Sequence, residues 1–184
     1  MKEVDNVRKV ALVGTSCVGK TTLFENYQRK FVEDPSIVFV EKAARQYFTR
    51  NAHIPTVERF GLTPQGEIQD LAIKNEQLAH NSGAKVIICD RSVLDAVAYV
   101  RGSGDIEGSE KFLGRVKHWI PTYNAIFLLN PADVPYIRDN VRLEDPSVRR
   151  RNHEAFLELF QQTNINYVLL SGTIVQRTEK IDKV

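Results

Sequence analysis

The sequence predicts an α/β fold in which a mainly parallel five-stranded sheet lies between two layers of helices. Two observations carry that expectation. Short apolar runs alternate with amphipathic helical stretches along the whole 184-residue chain, which is the pattern of βα repeats with parallel strands. The first apolar run, Val10 to Val13, leads into Gly14-Thr15-Ser16-Cys17-Val18-Gly19-Lys20-Thr21. That is a G-x-x-x-x-G-K-[ST] loop, or Walker A motif, with a strand before it and a helix after it. No repeat, low-complexity tract or linker divides the chain, so residues 1–184 read as one domain.

Each element follows from a local signal. Val7 to Val13 is the first strand, and Gly19 to Lys30 the helix after the loop, with Leu23, Tyr27 and Phe31 at helical spacing. Asp34-Pro35 is a turn, Ile37 to Val40 a second strand, and Glu41 to Phe48 a helix. Irregular sequence runs to Gly61. Thr63-Pro64 then reads as an N-cap followed by proline at the first helical position, opening a helix with Ile68, Leu71, Ala72 and Leu78 on its apolar face. Ser82-Gly83 ends it. Val86 to Cys89 is the third strand, and Ser92-x-x-Asp95 starts a helix carrying Ala96, Val97 and Val100. Gly102, Gly104 and Gly108 predict a flexible loop before a helix over Phe112 to Trp119. Ala125 to Leu129 is the fourth strand, Val148 to Thr163 a helix and Tyr167 to Leu170 the fifth strand. Thr173-x-x-Gln176 is a capping box opening the last helix.

The glycine-rich loop carries the first chemistry. Gly14 and Gly19 let the backbone curl so that N–H groups of Thr15, Ser16, Cys17, Val18 and Gly19 can surround phosphate oxygens. The helix that begins at Lys20, Thr21 and Thr22 adds the positive end of its dipole. In such a loop the lysine, here Lys20, reaches the β- and γ-phosphates, and the hydroxyl of Thr21 is offered to Mg²⁺. The chain is therefore read as a three-layer α/β/α P-loop NTPase that takes a nucleoside triphosphate and Mg²⁺. Ligands of parallel sheets bind at the carboxyl ends of the strands, so Glu41 after strand 2 and Asp90-Arg91 after strand 3 should face the same site. Asp90 is the candidate second metal ligand beside Thr21, its alternative being a helix-capping acid. Glu41 is the candidate that orients an acceptor hydroxyl, its alternative being a solvated acid at a helix start; Arg45, four residues on, reads either as its helical partner or as a contact for an anionic or hydroxyl-rich substrate. The charged stretch from 136 to about 151 holds Arg138, Arg142, Arg149, Arg150 and Arg151 among Asp139, Glu144 and Asp145. It reads as a lid whose guanidinium groups meet phosphate, or as a salt-bridged surface. Gln65, Gln69, Asn75 and Gln77 are candidate readers of a base or sugar, or ordinary exposed amides.

Bulk properties narrow the class. A formal net charge of +2 is too small to argue for nucleic acid or a membrane surface as partner, and neither is expected. No run of 18 apolar residues and no signal-peptide core is present, so a cytoplasmic location is expected. Cys17 and Cys89, without a C-x-x-C pair, read as two reduced thiols rather than a zinc site.

Together the loop, the acid after strand 2, Asp90-Arg91-Ser92 and the arginine-rich segment resemble the P-loop small-molecule kinases, the nucleoside and nucleoside monophosphate kinases. The stretches EKAAR, EQLA, DRSVLDAVAY and VRLEDPSVRRRNHEAF are closer to an AAA-type ATPase-like family related to the ribosylnicotinamide kinase domain of bifunctional NAD-biosynthesis proteins. The resemblance covers nearly the whole chain. It implies ATP-dependent phosphoryl transfer to a small acceptor such as a nucleoside, nucleotide or ribosylated vitamin. Within it, Lys20, Glu41, Asp90, Arg91 and Arg142 are the catalytic candidates. Gly14 to Thr22 with Arg149 and Arg150 bind ATP, and Thr21 and Asp90 hold the metal. The E-P-x-x-x-W context of deoxynucleoside kinases is absent around Glu41, and ribosylnicotinamide kinases have Asp-Thr-Asp in place of Asp90-Arg91-Ser92, so the acceptor stays open. Oligomeric state is open too, a homodimer being the form the resemblance suggests. The competing classes are a nucleotide-hydrolysing AAA-type ATPase, which would need a helical domain after the core, and a regulatory switch. Asn130-Pro131-Ala132-Asp133 lacks the lysine of the guanine-reading N-K-x-D motif, and no D-x-x-G follows strand 3.

Overall fold

Five strands form one sheet in the order β2-β3-β1-β4-β5, with every neighbouring pair parallel. They are β1 (Arg8–Val13), β2 (Ile37–Val40), β3 (Val86–Asp90), β4 (Ala125–Leu129) and β5 (Val168–Leu170). The computed structural model describes residues 7–55, 58–135 and 146–184. The helices are α1 (Lys20–Lys30), α2 (Ala43–Arg50), α3 (Leu62–Asn81), α4 (Leu94–Gly102), α5 (Ile106–Val116), α6 (Pro146–Thr163) and α7 (Ile174–Ile181). Among them none is long and apolar enough to cross a membrane.

Alternation along the strands builds two cores, because successive side chains of a strand point to opposite faces. Val10, Leu12, Ile88, Phe127 and Leu129 pack against Leu23, Phe24 and Tyr27 of α1 and Ile174 and Ile181 of α7. Ala11, Val13, Ile87, Cys89, Ile126 and Leu128 pack on the other face against α3, α4, α5 and α6. This is the expected three-layer α/β/α arrangement. A small third cluster, Ala43, Tyr47 and Ile68, joins α2 to α3 beside the sheet. β1 is central, with Leu12 beside Asp90 of β3 on one side and Phe127 of β4 on the other. The sheet's order turns about β1, so a crevice opens past the carboxyl ends of β1 and β3.

Several local expectations shift, each for a physical reason. Gly108 is not in a loop. It lies in the first turn of α5, where Asp105 caps by accepting from the Gly108 N–H at 2.8 Å. A Cβ there would meet Asp105 and Leu62 at 2.5 Å, so the glycine answers crowding rather than a need for flexibility. Gly102 is likewise helical and sits against Asn152 of α6 too closely for any side chain. α5 ends at Val116, short of Trp119, and α3 begins at Leu62 with Gly61 as N-cap, ahead of Thr63. Leu78, expected on the buried face of α3, is exposed, whereas Glu76 on the same helix is 2% exposed. The capping box of α7 is formed as expected, Thr173 and Gln176 exchanging both hydrogen bonds.

Glu76 is tolerated inside because its carboxylate is fully used. Lys9 donates to Oε2 at 2.7 Å, Trp119 to the same oxygen at 2.8 Å and Tyr123 to Oε1 at 2.6 Å. The Lys9 ammonium also sits 4.3 Å from the Tyr123 ring centroid. Burial and the Glu76 charge push the Tyr123 hydroxyl well above the ordinary range, so it stays a donor. Removing one partner strands the other charge in the interior. Glu76→Ala is expected to lower unfolding free energy by about 3–5 kcal/mol. The double variant with Lys9→Met should lose clearly less than the two single losses added together. Urea unfolding of the three variants checks this.

Candidate active site

The loop after β1 is held by its carbonyl groups. A backbone that points consecutive N–H groups into a cradle must satisfy its carbonyls elsewhere. The Gly14 carbonyl accepts from Lys20 Nζ at 2.7 Å and from Arg91 Nη1 at 2.9 Å, and Lys20 also donates to the Thr15 carbonyl. The Cys17 carbonyl accepts from Arg149 at 3.2 Å, and the Val18 carbonyl from Arg177 at 2.6 Å. Gly14 and Gly19 take positive φ angles of 134° and 88°, and a Cβ on Gly14 would lie 3.3 Å from the Leu129 carbonyl oxygen. Cys17 takes φ 56° without being glycine, local strain of the kind functional loops store. Val18 turns its side chain into the α1 core, so only its backbone faces the loop.

Asp90 ends β3 in the crevice. It is buried, and its Oδ1 has no hydrogen-bond partner among the described residues; neither does the buried Thr15 Oγ1. Arg91 follows with φ 87°. Its Nη1 donates to Gly14, to Asp95 Oδ1 at 2.8 Å and to the Tyr99 hydroxyl at 3.0 Å. Arg91 therefore ties the phosphate loop to α4. Asp95, read from sequence as a cap, accepts from the Ser92 N–H at 2.8 Å with Oδ2 while pairing with Arg91 through Oδ1.

Beyond Asp90 lies a cavity of about 400 Å³ between α2, α3 and α4. Its apolar walls include Phe48, Phe60, Ile68 and Tyr99, with Phe60 and Tyr99 stacked at 5.7 Å. Gln65 and Gln69 line it, and the buried Oε1 of Gln69 has no partner among the described residues. Gln77 does not line it; its amide donates to Asn81 on the exposed side of α3. Asn75 bonds Gln46.

The structure brings Gly14 to Lys20, Glu41, Asp90 and Arg91 to one edge of the sheet, as the carboxyl-end rule requires. Thr21 is half-buried in the first turn of α1 and Thr22 is exposed. Glu41 lines the cavity mouth but precedes α2, which starts at Ala43 with Lys42 as N-cap. It therefore shares no helix face with Arg45, and no ion pair joins them. Arg149 is buried against loop carbonyls, including Pro131 and Val134 at 2.7 Å each. Arg150 is exposed, 3.8 Å from Glu154. Arg138, Arg142 and the rest of 136–145 lie outside the described residues. Both cysteines are free, with Cys89 buried.

Sequence reasoning missed three participants. Lys42 lines the cavity beside Arg91, and Arg177 reaches the loop from the last helix. Tyr99 meets Arg91 from one turn beyond Asp95. No motif marks any of them. The cations crowd one another. Burial, then Arg91, push the Lys20 ammonium well below its usual range, with Asp95 and Asp90 opposing. Arg91, then burial, lower Lys42 to about 8. An entering anion relieves that repulsion.

A family model described as an AAA domain matches residues 9–177. The chain belongs to this AAA domain family. No curated protein sequence matches it. Solved structures share the fold of this AAA domain. NadR protein in complex with NR is 17% identical with TM-score 0.73, over 96% of this chain and 48% of that one. NadR in complex with NAD and AMP-PNP is 16% identical with TM-score 0.71 over the same shares. The chain thus spans about half the length of NadR. Thymidylate kinase from Ehrlichia chaffeensis is 14% identical with TM-score 0.69, covering 97% of this chain and 98% of that one. Deoxyadenosine kinase from M. mycoides with bound dATP is 13% identical with TM-score 0.67, covering 96% and 98%. The fold is that of the P-loop nucleoside and nucleotide kinases.

The Lys42 shift gives a signed expectation. An anion bound beside it favours the charged amine and raises its pKa, so binding near pH 8 takes up a proton. Titrating AMP-PNP at pH 8 in buffers of different ionisation enthalpy should show uptake of about half a proton from this group. The uptake should shrink in Lys42→Met and fade toward pH 6.5, where Lys42 is already charged.

Proposed function

We propose that the protein transfers the γ-phosphoryl group of ATP to a small acceptor held between α2, α3 and α4. One observation carries this reading: the aromatic-walled cavity opens onto Ser16, Asp90 and Arg91. A polyphosphate on the loop and a ligand in the cavity would meet there. A hydrolase or switch needs only water beside its phosphate, whereas a cavity of about 400 Å³ has room for a second small molecule. The names of the similar structures, which include kinases for deoxyadenosine and thymidylate, support the same reading.

Mg²⁺ accompanies the nucleotide in this fold, and the residues suit it. A buried carboxylate oxygen of Asp90 without a partner among the described residues and the hydroxyl of Thr21 are hard oxygen donors. These two would hold the ion, which would neutralise phosphate charge. Lys20 would exchange its two carbonyl partners for phosphate oxygens, and Arg91 would add positive charge where the transferring group moves. Glu41, at the cavity mouth, would orient the acceptor hydroxyl and take its proton. Of the arginines expected in a lid, Arg142 and Arg150 belong to this proposal as groups that would close over the nucleotide, whereas Arg149 is held against the loop carbonyls.

A coupled ADP-release assay with Mg·ATP and pooled nucleosides, nucleoside monophosphates and ribosylated vitamins tests it. ADP release in one pool should depend on the acceptor, and Lys20→Ala should lower it by about 10²-fold or more. Release that ignores the acceptor would point instead to an ATPase.

A further inference from the structure

Four cations and four acids line the cavity, and assigning their partners leaves one cation in excess, because Glu76 is paired with Lys9 from outside the lining. Arg91 is paired with Asp95, and Glu76 with Lys9, Trp119 and Tyr123. Asp90 and Glu41 are the acids of the reacting end. Three cations remain, Lys42, Arg45 and Arg59, and none has a hydrogen bond or ion pair from its charged group to an acid among the described residues.

Their placement is not scattered. Arg45, Phe48 and Thr49, three and four residues apart on α2, line the cavity together with Lys42, the N-cap of that helix, so the start of α2 faces inward. Arg59, from the segment leading into α3, lies over the Phe48 ring at 4.8 Å. Its Nε is buried without a hydrogen-bond partner among the described residues. Flat aromatic walls thus meet two guanidinium groups and an ammonium. Guanidinium forks match the paired oxygens of phosphate and carboxylate.

We propose that the acceptor carries an oxyanionic group, a phosphate ester or a carboxylate, on an apolar ring-bearing body, and that Arg45, Arg59 and Lys42 bind it. This rests on the kinase reading for what happens to the acceptor, but not for the binding itself. Arg91, burial and, more weakly, Arg45 hold Lys42 near 8, and an anion between the cations relieves their repulsion. The aromatic faces explain why the ligand is more than a bare anion: Phe48, Phe60 and Tyr99 give a planar ring a surface to stack on.

Calorimetric titration separates the two readings. The full chain is first saturated with Mg·AMP-PNP, so that ligands compete only for the cavity. It is then titrated with uridine, orotidine and UMP, which differ by a carboxylate or a phosphate, and with adenosine and AMP, and guanosine and GMP. At least one charged member should bind about tenfold or more tightly than its neutral counterpart. A stronger response to UMP identifies phosphate, and one to orotidine identifies carboxylate. The charged-to-neutral ratio, taken within each variant, should collapse in Arg45→Gln and Arg59→Gln and partly return in Arg45→Lys and Arg59→Lys. Circular dichroism checks that each variant is folded. Equal binding of neutral and charged members, no binding by any, or a preference that survives both glutamine substitutions overturns the proposal. The same ligands with Mg·ATP report on catalysis. Phosphorylation of neutral acceptors without anion preference overturns this inference and keeps the kinase reading. Anion binding without transfer does the reverse.

Discussion

A phosphate-binding loop has to turn its N–H groups inward, and the carbonyls that consequently face outward must find donors. Here cations supply them. Gly14 is met by Lys20 and Arg91, Cys17 by Arg149 and Val18 by Arg177. The four donors come from α1, the β3–α4 turn, α6 and α7. The loop's shape therefore depends on nearly every layer of the domain, and the groups that shape it also make its surroundings positive. Arg91 does both at once, because the side chain that fixes Gly14 is fixed in turn by Asp95 and Tyr99 of α4. Its positive φ is retained because these contacts over-determine it.

That construction makes the carboxyl edge of β1 and β3 electrostatically tense. Arg91 and burial depress both Lys20 and Lys42, and Asp90 and Asp95 compensate only in part. Such a site favours anions before any specific hydrogen bond forms. The neighbouring cavity adds aromatic walls and amides, which select shape. The two regions meet at Asp90 because β1 and β3 are neighbours in the sheet and end at the same edge.

Where sequence and structure part, the cause is a tertiary contact or the point at which a helix starts. Gly102 and Gly108 look like loop residues, yet each is crowded where a Cβ would sit: by Asn152 of α6 at one, by Leu62 of α3 and the helix's own N-cap Asp105 at the other. Helical spacing puts Leu78 on the apolar face of α3, but the helix turns Glu76 inward because Lys9, Trp119 and Tyr123 converge there to satisfy it. Glu41 and Arg45 have the spacing of a helical pair, and a helix that starts two residues later removes the pairing.

By itself the sequence determined the parallel α/β sheet, the phosphate loop and the edge at which Glu41, Asp90 and Arg91 gather. Those follow from strand periodicity, from glycines that only a tight phosphate-binding turn needs at that spacing, and from the rule that parallel strands present ligands at their carboxyl ends. Only the tertiary structure decided that Arg177 and Arg149 brace the loop, that Lys42 joins the cationic cluster and that Gln69, rather than Gln77, lines the cavity. Each of those depends on contacts between elements distant in the chain. Local spacing carries no record of such contacts, because they are selected by burial and charge in the assembled fold.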